Sequence, residues 1–266
     1  MIIDGRAISK DIQQKLNGSN TSLGVIYVGS NPVIDNFIKI KKNFGEKIGA
    51  SVSVYRLKSI NKNNVKEIAN QHTGIVIQLP MPKIIFIDEI LNSIPIDKDI
   101  DVLSENAIKL LERRELDILP PVVGAVVEIF NRYNIKLIGK KIVIIGDGRL
   151  VGKPILRWFC LQNIKPVVLK KGDDFTNGLK DADIIISGIG KAGLIQPEML
   201  KQGVVLIDAG TSEDPLTGFG QPARMVGDAN LSCAEKCSIF TPVPGGVGPI
   251  TVAILFRNLI KINDRN

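Results

Sequence analysis

Gly146, Gly148 and Gly152 follow the apolar run Ile142 to Ile145 in the stretch KIVIIGDGRLVGKP, and that order has a chemical use. A buried strand feeding a glycine-rich turn and then a helix lets the backbone approach a pyrophosphate. The helix adds N–H groups and a positive dipole end that favour the anion. The spacing is GxGxxxG rather than GxGxxG, and Pro154 stands where a P-loop carries Ser or Thr for magnesium, so this is not a P-loop. Proton chemistry is narrowed by composition. His72 is the single histidine and no GxSxG accompanies it, so a base would be Lys, Asp or Glu. Two polar residues near apolar elements suit that work: Lys41, on a helical stretch, and Gln78, near the carboxyl end of the apolar run Ile75 to Leu79. A lysine on a helix is by default a solvated side chain; an amide inside an apolar strand needs a partner.

Other reactive residues read more plainly. His72 precedes GIVIQLP and reads as a surface or loop histidine. Cys160, Cys233 and Cys237 form no CxxC, so a disulfide framework is not expected and reduced thiols are. Cys233 and Cys237, four apart, are read as two small residues on a helix rather than as half of a metal site, and no metal is expected. Ile94 to Asp101, IPIDKDID, is read as a polar loop at the edge of a cleft, lacking the glycine and glutamate of an EF-hand.

The elements that must position these residues follow a repeated rhythm. An opening helix around Ile8 to Leu16 leads to a strand Leu23 to Val28, and Asn31 and Pro32 supply an N-cap and first-turn proline for a helix to about Ile48. Strand Ser51 to Arg56, helix Val65 to Gln71 and strand Ile75 to Leu79 complete a βαβαβ unit. Its parallel sheet would bind ligands beyond the carboxyl ends of the strands. Lys41 then lies about two and a half turns into the first crossover helix. Leu119-Pro120-Pro121 ends this unit, and Val122 to Arg132 bridges to a second. There, strands at Ile142 to Ile145, Val167 to Leu169, Ile184 to Ser187, Val204 to Asp208 and Ile239 to Phe240 form a nucleotide-binding sheet. After its second strand stand Lys170 and Lys171, with Asp173 and Asp174 following, which tilts the reading toward a 2′-phosphate. TPVPGGVGPIT, Thr241 to Thr251, is a tightly specified loop suited to the wall of a flat ligand's pocket, followed by an amphipathic helix to about Ile262.

The chain of 266 residues is long enough for one large or two modest α/β domains. Its 44% hydrophobic and 23% charged residues match a soluble globular protein. The formal net charge of +7 suits an anionic partner, but scattered basic residues, few aromatics and no nucleic-acid motif argue for no nucleic acid. The N-terminus lacks a signal-peptide core, and no apolar run reaches the ~18 residues of a membrane span. A cytoplasmic protein with no membrane partner is expected.

With these stretches in view, the chain resembles the bifunctional methylenetetrahydrofolate dehydrogenase/methenyltetrahydrofolate cyclohydrolase family, from IIDGRAIS to the final helix. TPVPGGVGPIT, GIVIQLPMP, DKDID, VGKP and ADIIISGIGK carry the resemblance. It implies an α/β fold of two domains around a cleft: a folate-binding catalytic domain of residues 1–119 plus 249–266, and a Rossmann-type NAD(P)-binding domain of residues 120–248. It also implies a homodimer formed through the nucleotide-binding domain. The implied reaction is oxidation of 5,10-methylenetetrahydrofolate with NADP+, with NAD as the other cofactor to consider, then hydrolysis of the methenyl product to 10-formyltetrahydrofolate. By motif, Lys41 matches the catalytic lysine, Gln78 its partner and Asp101 the carboxylate that holds the pterin. Phe37, Pro244, Gly245, Gly246 and Pro249 fall at substrate-binding positions. Gly146, Gly148, Arg149, Leu150, Val151, Gly152, Lys170, Lys171 and Gly188 fall at cofactor-binding ones.

The chain departs from the family's pattern at named places. Phe37 replaces a tyrosine four residues before the lysine, and Val102 a glycine. Leu103-Ser104 replaces His-Pro, and Pro120-Pro121-Val122-Val123 stands for Pro-x-Thr-Pro. Gly146-Asp147-Gly148 replaces Gly-Arg-Ser, putting a carboxylate where an arginine assists the phosphates. These leave two alternatives: a dehydrogenase with weak or no cyclohydrolase activity, and a non-catalytic folate- or nucleotide-binding homologue.

Overall fold

A computed structural model describes residues 1–29, 32–82, 86–214 and 225–265, the side chains of residues 32 and 33 excepted. Asn31, expected to cap the first crossover helix, lies outside the described residues. The chain divides into two compact units, one of Lys10–Pro121 with the chain from Val252 onward, the other of Met1–Ser9 with Val122–Thr251. The first nine residues thus group with Val122–Thr251, whereas the resemblance implies a domain of residues 1–119 plus 249–266. Hydrogen bonding explains it: Ile3 N donates to Phe240 O (2.8 Å) and Phe240 N to Met1 O (2.9 Å), a parallel bridge that appends this segment to a strand made far later in the chain.

In the unit that contains Lys41, β1 (Ser22–Val28), β2 (Ser51–Leu57) and β3 (Gly74–Ile77) form a parallel sheet in the order β2-β1-β3. β3 and all but the first residue of β1 are buried, whereas β2 alternates in exposure as an edge strand does. Parallel neighbours need crossovers, and α2 (Pro32–Ile48) and α3 (Lys62–Ala69) supply them. Asn61 and Asn64 close a reciprocal capping box at the start of α3. α1 (Gly5–Gln13), which starts in the other unit, α4 (Ile87–Leu91) and α5 (Glu105–Glu112) complete the early helices, and α6 (Pro121–Arg132) leads onward. The final helix α9 (Val247–Asn263) is not amphipathic as expected: Val252 to Phe256, Asn258, Leu259 and Ile262 are all buried. Phe256 stacks on Phe44 of α2 at 5.1 Å, and Asn258 Nδ2 donates to the carbonyls of Ile100 (2.9 Å) and Leu119 (2.8 Å).

Within segment 94–101, Ile96 and Asp97 are exposed, whereas Asp99 and Ile100 are drawn into this core. Ile100 is fully buried, Asp99 forms a parallel bridge with Ile75 beside β3, and Gly74 leaves no room for a Cβ against Ile100 Cγ2 (2.6 Å). His72, expected as a surface or loop histidine, lies in the loop between α3 and β3 but is buried against Gly24, with Nε2 2.8 Å from the Tyr55 hydroxyl and Nδ1 without a hydrogen-bond partner among the described residues. A strand glycine makes the space that a lone polar ring then fills.

The other unit carries β4 (Ile142–Ile145), β5 (Val167–Leu169), β6 (Ile184–Ser187), β7 (Val204–Asp208) and β10 (Cys237–Phe240), parallel in the order β10-β7-β6-β4-β5. α7 (Gly152–Leu161) and α8 (Phe175–Leu179) connect successive strands, and a short antiparallel pair, β8 (Ser212–Glu213) and β9 (Met225–Val226), stands apart. Cys233 lies in a 3₁₀ turn and Cys237 on β10, not on one helix as expected. Both are buried in the sheet's apolar cluster, where desolvation pushes their thiols up to about 11 and about 12. No cluster among the described residues could hold a metal ion, and no helix among them is long and apolar enough to cross a membrane.

Candidate functional site

The order β2-β1-β3 makes the chain leave β1 first to one side and then to the other. The carboxyl ends of β1 and β3 therefore flank a switch point, where open α/β sheets bind ligands. Gln78 is the first residue beyond β3, and its N–H donates to Ile26 O at 2.8 Å. Its side-chain Nε2 donates to Leu79 O (2.9 Å), which commits the amide nitrogen and turns Oε1 toward Lys41, whose Nζ donates to it at 2.5 Å. Lys41 reaches this place from α2, and Phe37 lies one helical turn earlier on the same face, half-buried. Burial lowers the Lys41 pKa, and Asp101 opposes that shift. Asp101 is raised to about 6 by desolvation, with Lys41 lowering it and Asp99 raising it further. A lysine with a weakened hold on its proton thus faces a neutral amide, with a reluctant carboxylate close enough to couple to the lysine.

The loop that carries Asp101 is held firmly. Asp99 accepts hydrogen bonds from the N–H groups of Leu103 (3.1 Å) and Ser104 (2.8 Å), and Asn258 takes the carbonyl between Asp99 and Asp101. Val102 sits at φ +56, a left-handed conformation that a β-branched residue rarely adopts, and its side chain is buried. Where the family has glycine, this chain accepts backbone strain in exchange for apolar packing. Nearby, a groove of 580 Å³ at the carboxyl ends of β1 and β2 is lined by Val28, Lys58, Asn61, Pro82 and Phe86, none of which the sequence singles out.

In the other unit the switch point lies between β4 and β6. Gly146 has φ +93, and a Cβ on Gly152 would lie 1.9 Å from the Gly146 carbonyl oxygen, so the turn closes on itself as α7 begins. Gly188, just past β6, is equally constrained: a Cβ there would lie 2.3 Å from Val151 Cγ1. Gly146, Val151, Gly152 and Gly188 are thereby brought together. Gly148, Arg149 and Leu150 are exposed on the same turn, and Lys170 and Lys171 are exposed after β5. Pro244, Gly245, Gly246 and Pro249 belong to this unit, at the turn into α9. Gly245 has φ +106, its carbonyl accepts Gly5 N–H at 2.9 Å, and Gly246 is packed against the Pro242 carbonyl.

Two acids that the sequence reading passed over organise this end of the sheet. Asp228 is fully buried and accepts from the Ser187 hydroxyl (2.6 Å) and the N–H groups of Ile189 (3.0 Å) and Lys191 (2.7 Å), fixing the turn that carries Gly188. Asp208 accepts from Gly210 (2.9 Å) and Ala229 (2.8 Å), and its burial raises it to about 7. Each touches a glycine that cannot be replaced: a Cβ on Gly210 would fall 2.1 Å from Asp228 and one on Gly227 2.2 Å from Asp208. The Asp-Ala-Gly and Gly-Asp-Ala triplets were the available signal.

A parallel sheet with a glycine-lined switch point is the class of fold that binds dinucleotides, and a second parallel sheet carries a buried lysine at its own switch point. Residues 3–101 match the catalytic-domain model of tetrahydrofolate dehydrogenase/cyclohydrolase, and residues 120–266 match its NAD(P)-binding domain. The bifunctional protein FolD of Staphylococcus aureus (strain MRSA252) is 31% identical, over 97% of this chain and 95% of that protein. The crystal structure of the bifunctional enzyme FolD from Campylobacter jejuni, 31% identical, superposes with a TM-score of 0.89 over 100% of this chain and 99% of that one. The Trypanosoma brucei FolD, complexed with NADP cofactor and inhibitor, is 27% identical with a TM-score of 0.91, over 100% of this chain and 97% of that one. The chain belongs to the tetrahydrofolate dehydrogenase/cyclohydrolase family.

Proposed function

We propose that this protein oxidises 5,10-methylenetetrahydrofolate to the 5,10-methenyl form with NADP+ and hydrolyses that product to 10-formyltetrahydrofolate. The observation that carries the proposal is the Lys41–Gln78 hydrogen bond beside Asp101, because it places a desolvated amine against a neutral acceptor, with Asp101 opposing only part of the lowering that burial causes. The glycine turn suits the cofactor: Gly152 and Gly188 let the turn close on Gly146 and Val151, Gly148 leaves open space where a side chain would sit, and Arg149, Leu150, Lys170 and Lys171 lie exposed around it. When bound there, NADP+ supplies a hydride acceptor. Hydride transfer needs no base, so the chain's part in that step is to hold the reactants in register.

Hydrolysis is where the side chains act. As water adds to the methenyl cation, neutral Lys41 Nζ takes one of its protons; as the carbon–nitrogen bond breaks, the ammonium returns that proton to the leaving folate nitrogen, and the carbinol hydroxyl gives up its remaining proton to solvent as the formyl C=O forms. Gln78 keeps the amine aimed without adding charge, and Asp101 holds the pterin ring by accepting from it. Phe37, half-buried one turn before Lys41, contributes apolar surface to the substrate. The working form is a cytoplasmic homodimer joined through the nucleotide-binding unit, which sedimentation of the purified protein tests.

The deciding experiment supplies 5,10-methylenetetrahydrofolate with NADP+ and follows both the appearance of the methenyl product and its protein-accelerated decay. Formation without accelerated decay would reduce the protein to a dehydrogenase alone. Phe37 favours that second reading, since no hydroxyl stands one turn before Lys41 to bond to the amine or the substrate. Tight nucleotide binding without turnover would mark a non-catalytic homologue.

A further inference from the structure

Gly146 N–H donates to Leu169 O at 2.8 Å, and Ile145 pairs with Leu169, so β4 and β5 release their next residues side by side. The consequence is an ion pair between Asp147 Oδ2 and Lys170 Nζ at 3.0 Å. Lys170 is held at its backbone as well, its N–H donating to Asp173 Oδ2 at 2.6 Å. Asp174 is engaged elsewhere, capping α8 by accepting from Asn177 N (3.1 Å) and Nδ2 (2.5 Å). The first residue after the second strand of this unit is therefore a lysine clamped between two carboxylates, one of them on the glycine turn itself.

That position is where dinucleotide-binding sheets read the adenosine ribose: an acidic acceptor there suits a free 2′-hydroxyl, and a cation suits a 2′-phosphate. A phosphate monoester carries about −1.5 to −2 charges near neutral pH, so it gains from an uncommitted cation and loses from a nearby carboxylate. Lys170 is committed, and Asp147 remains as an acceptor. Lys171 and Lys153 keep the surroundings positive; Lys153 is itself felt by Asp147.

We infer that Asp147 is a specificity-determining residue: paired with Lys170, it withholds the cation a 2′-phosphate needs and offers an acceptor to a free 2′-hydroxyl, narrowing the advantage of NADP+ over NAD+. The inference rests on the proposed dinucleotide site at the glycine turn, and it concerns only which dinucleotide that site prefers.

The test compares the wild-type protein with Asp147→Asn, Lys170→Ala and the double variant at fixed ionic strength. It measures kcat/KM for NADP+ and NAD+ with methylenetetrahydrofolate, and in parallel Kd for NADPH and NADH by nucleotide fluorescence. Asp147→Asn should raise the NADP/NAD preference several-fold. Lys170→Ala should lower it, and Asp147→Asn should gain less in that background, because withholding the cation is then no longer part of its effect. An unchanged ratio in Asp147→Asn, or a gain of full size without Lys170, overturns the inference. Absence of folate turnover would sink the proposed reaction yet leave the fluorescence titrations to decide this point. Failure of wild-type protein to bind either nucleotide would sink both.

Discussion

Replacing Gln78 with glutamate changes one atom type at the centre of the lysine site and tests the proton-transfer role of Lys41 directly. The new carboxylate would stand where Oε1 now lies, 2.5 Å from Nζ. A charge pair at about 4 Å is worth roughly 4 kcal/mol at an effective dielectric of about 20, or close to three pKa units. The cost of burying the carboxylate offsets part of this, leaving an upward shift in Lys41 of about 1–3 units. The sign is unambiguous: added negative charge favours the ammonium, so neutral amine appears only at higher pH. Hydrolysis near neutral pH should therefore fall about 10- to 1000-fold, with the rising limb of its pH profile moved to alkaline pH by the same shift. Gln78→Met serves as the contrast, removing an acceptor that favours the ammonium, so its limb should move toward acid although its rate falls through lost aim. The assay is decay of the methenyl chromophore across that range, corrected for the spontaneous rate. A Gln78→Glu protein whose limb stays at the wild-type position would refute the assignment of Lys41 as proton acceptor.

Two further substitutions test other parts of the structure. Phe37→Tyr restores a hydroxyl one turn before Lys41 and should raise the ratio of hydrolysis to oxidation several-fold, read from the same two-phase assay; an unchanged ratio would remove residue 37 from the chemistry. Gly5→Ala would place a Cβ 1.8 Å from the Gly246 carbonyl oxygen. The backbone clash should cost about 3 kcal/mol or more, lowering the thermal midpoint by roughly 6–12 °C, and an undiminished midpoint would show that the contact yields easily.

What could be read in the residues followed from how local each feature is. Ile142–Ile145 and Ile184–Ser187 are short apolar runs ended by glycine, and both are fully buried strands, because a parallel sheet covered on both faces leaves no alternation to misread. Lys41 and Gln78 lie 37 positions apart, and the βαβ rhythm alone sets them at one end of a sheet. His72, Cys233 and segment 94–101 went differently because their burial depends on partners with no sequence signature: Gly24 for the imidazole, Ile195 O for the Cys233 thiol, Asn258 for the Ile100 carbonyl. The buried acids Asp208 and Asp228 stayed hidden for a similar reason. An aspartate beside a glycine reads as a turn until the N–H groups converging on it are seen. The final helix misled in another way, since a face that meets neighbours on every side has no polar stripe to reveal it.

The attachment of the first residues to β10 bears on how the polypeptide can be made and divided. Met1 to Ile3 stand far before the strand they join, Cys237–Phe240, in the order of the chain. Pairing between segments so distant in sequence waits on everything between them, a non-local closure that slows folding. A fragment begun near residue 120 would isolate the nucleotide-binding sheet but leave the outer N–H and C=O groups of Phe240 without the partners they have here. An uncovered strand edge of that kind recruits other chains. Expression of the cofactor unit alone thus calls for the first nine residues to be supplied, as a fused segment or an added peptide, before its solution behaviour is taken as that of the intact protein.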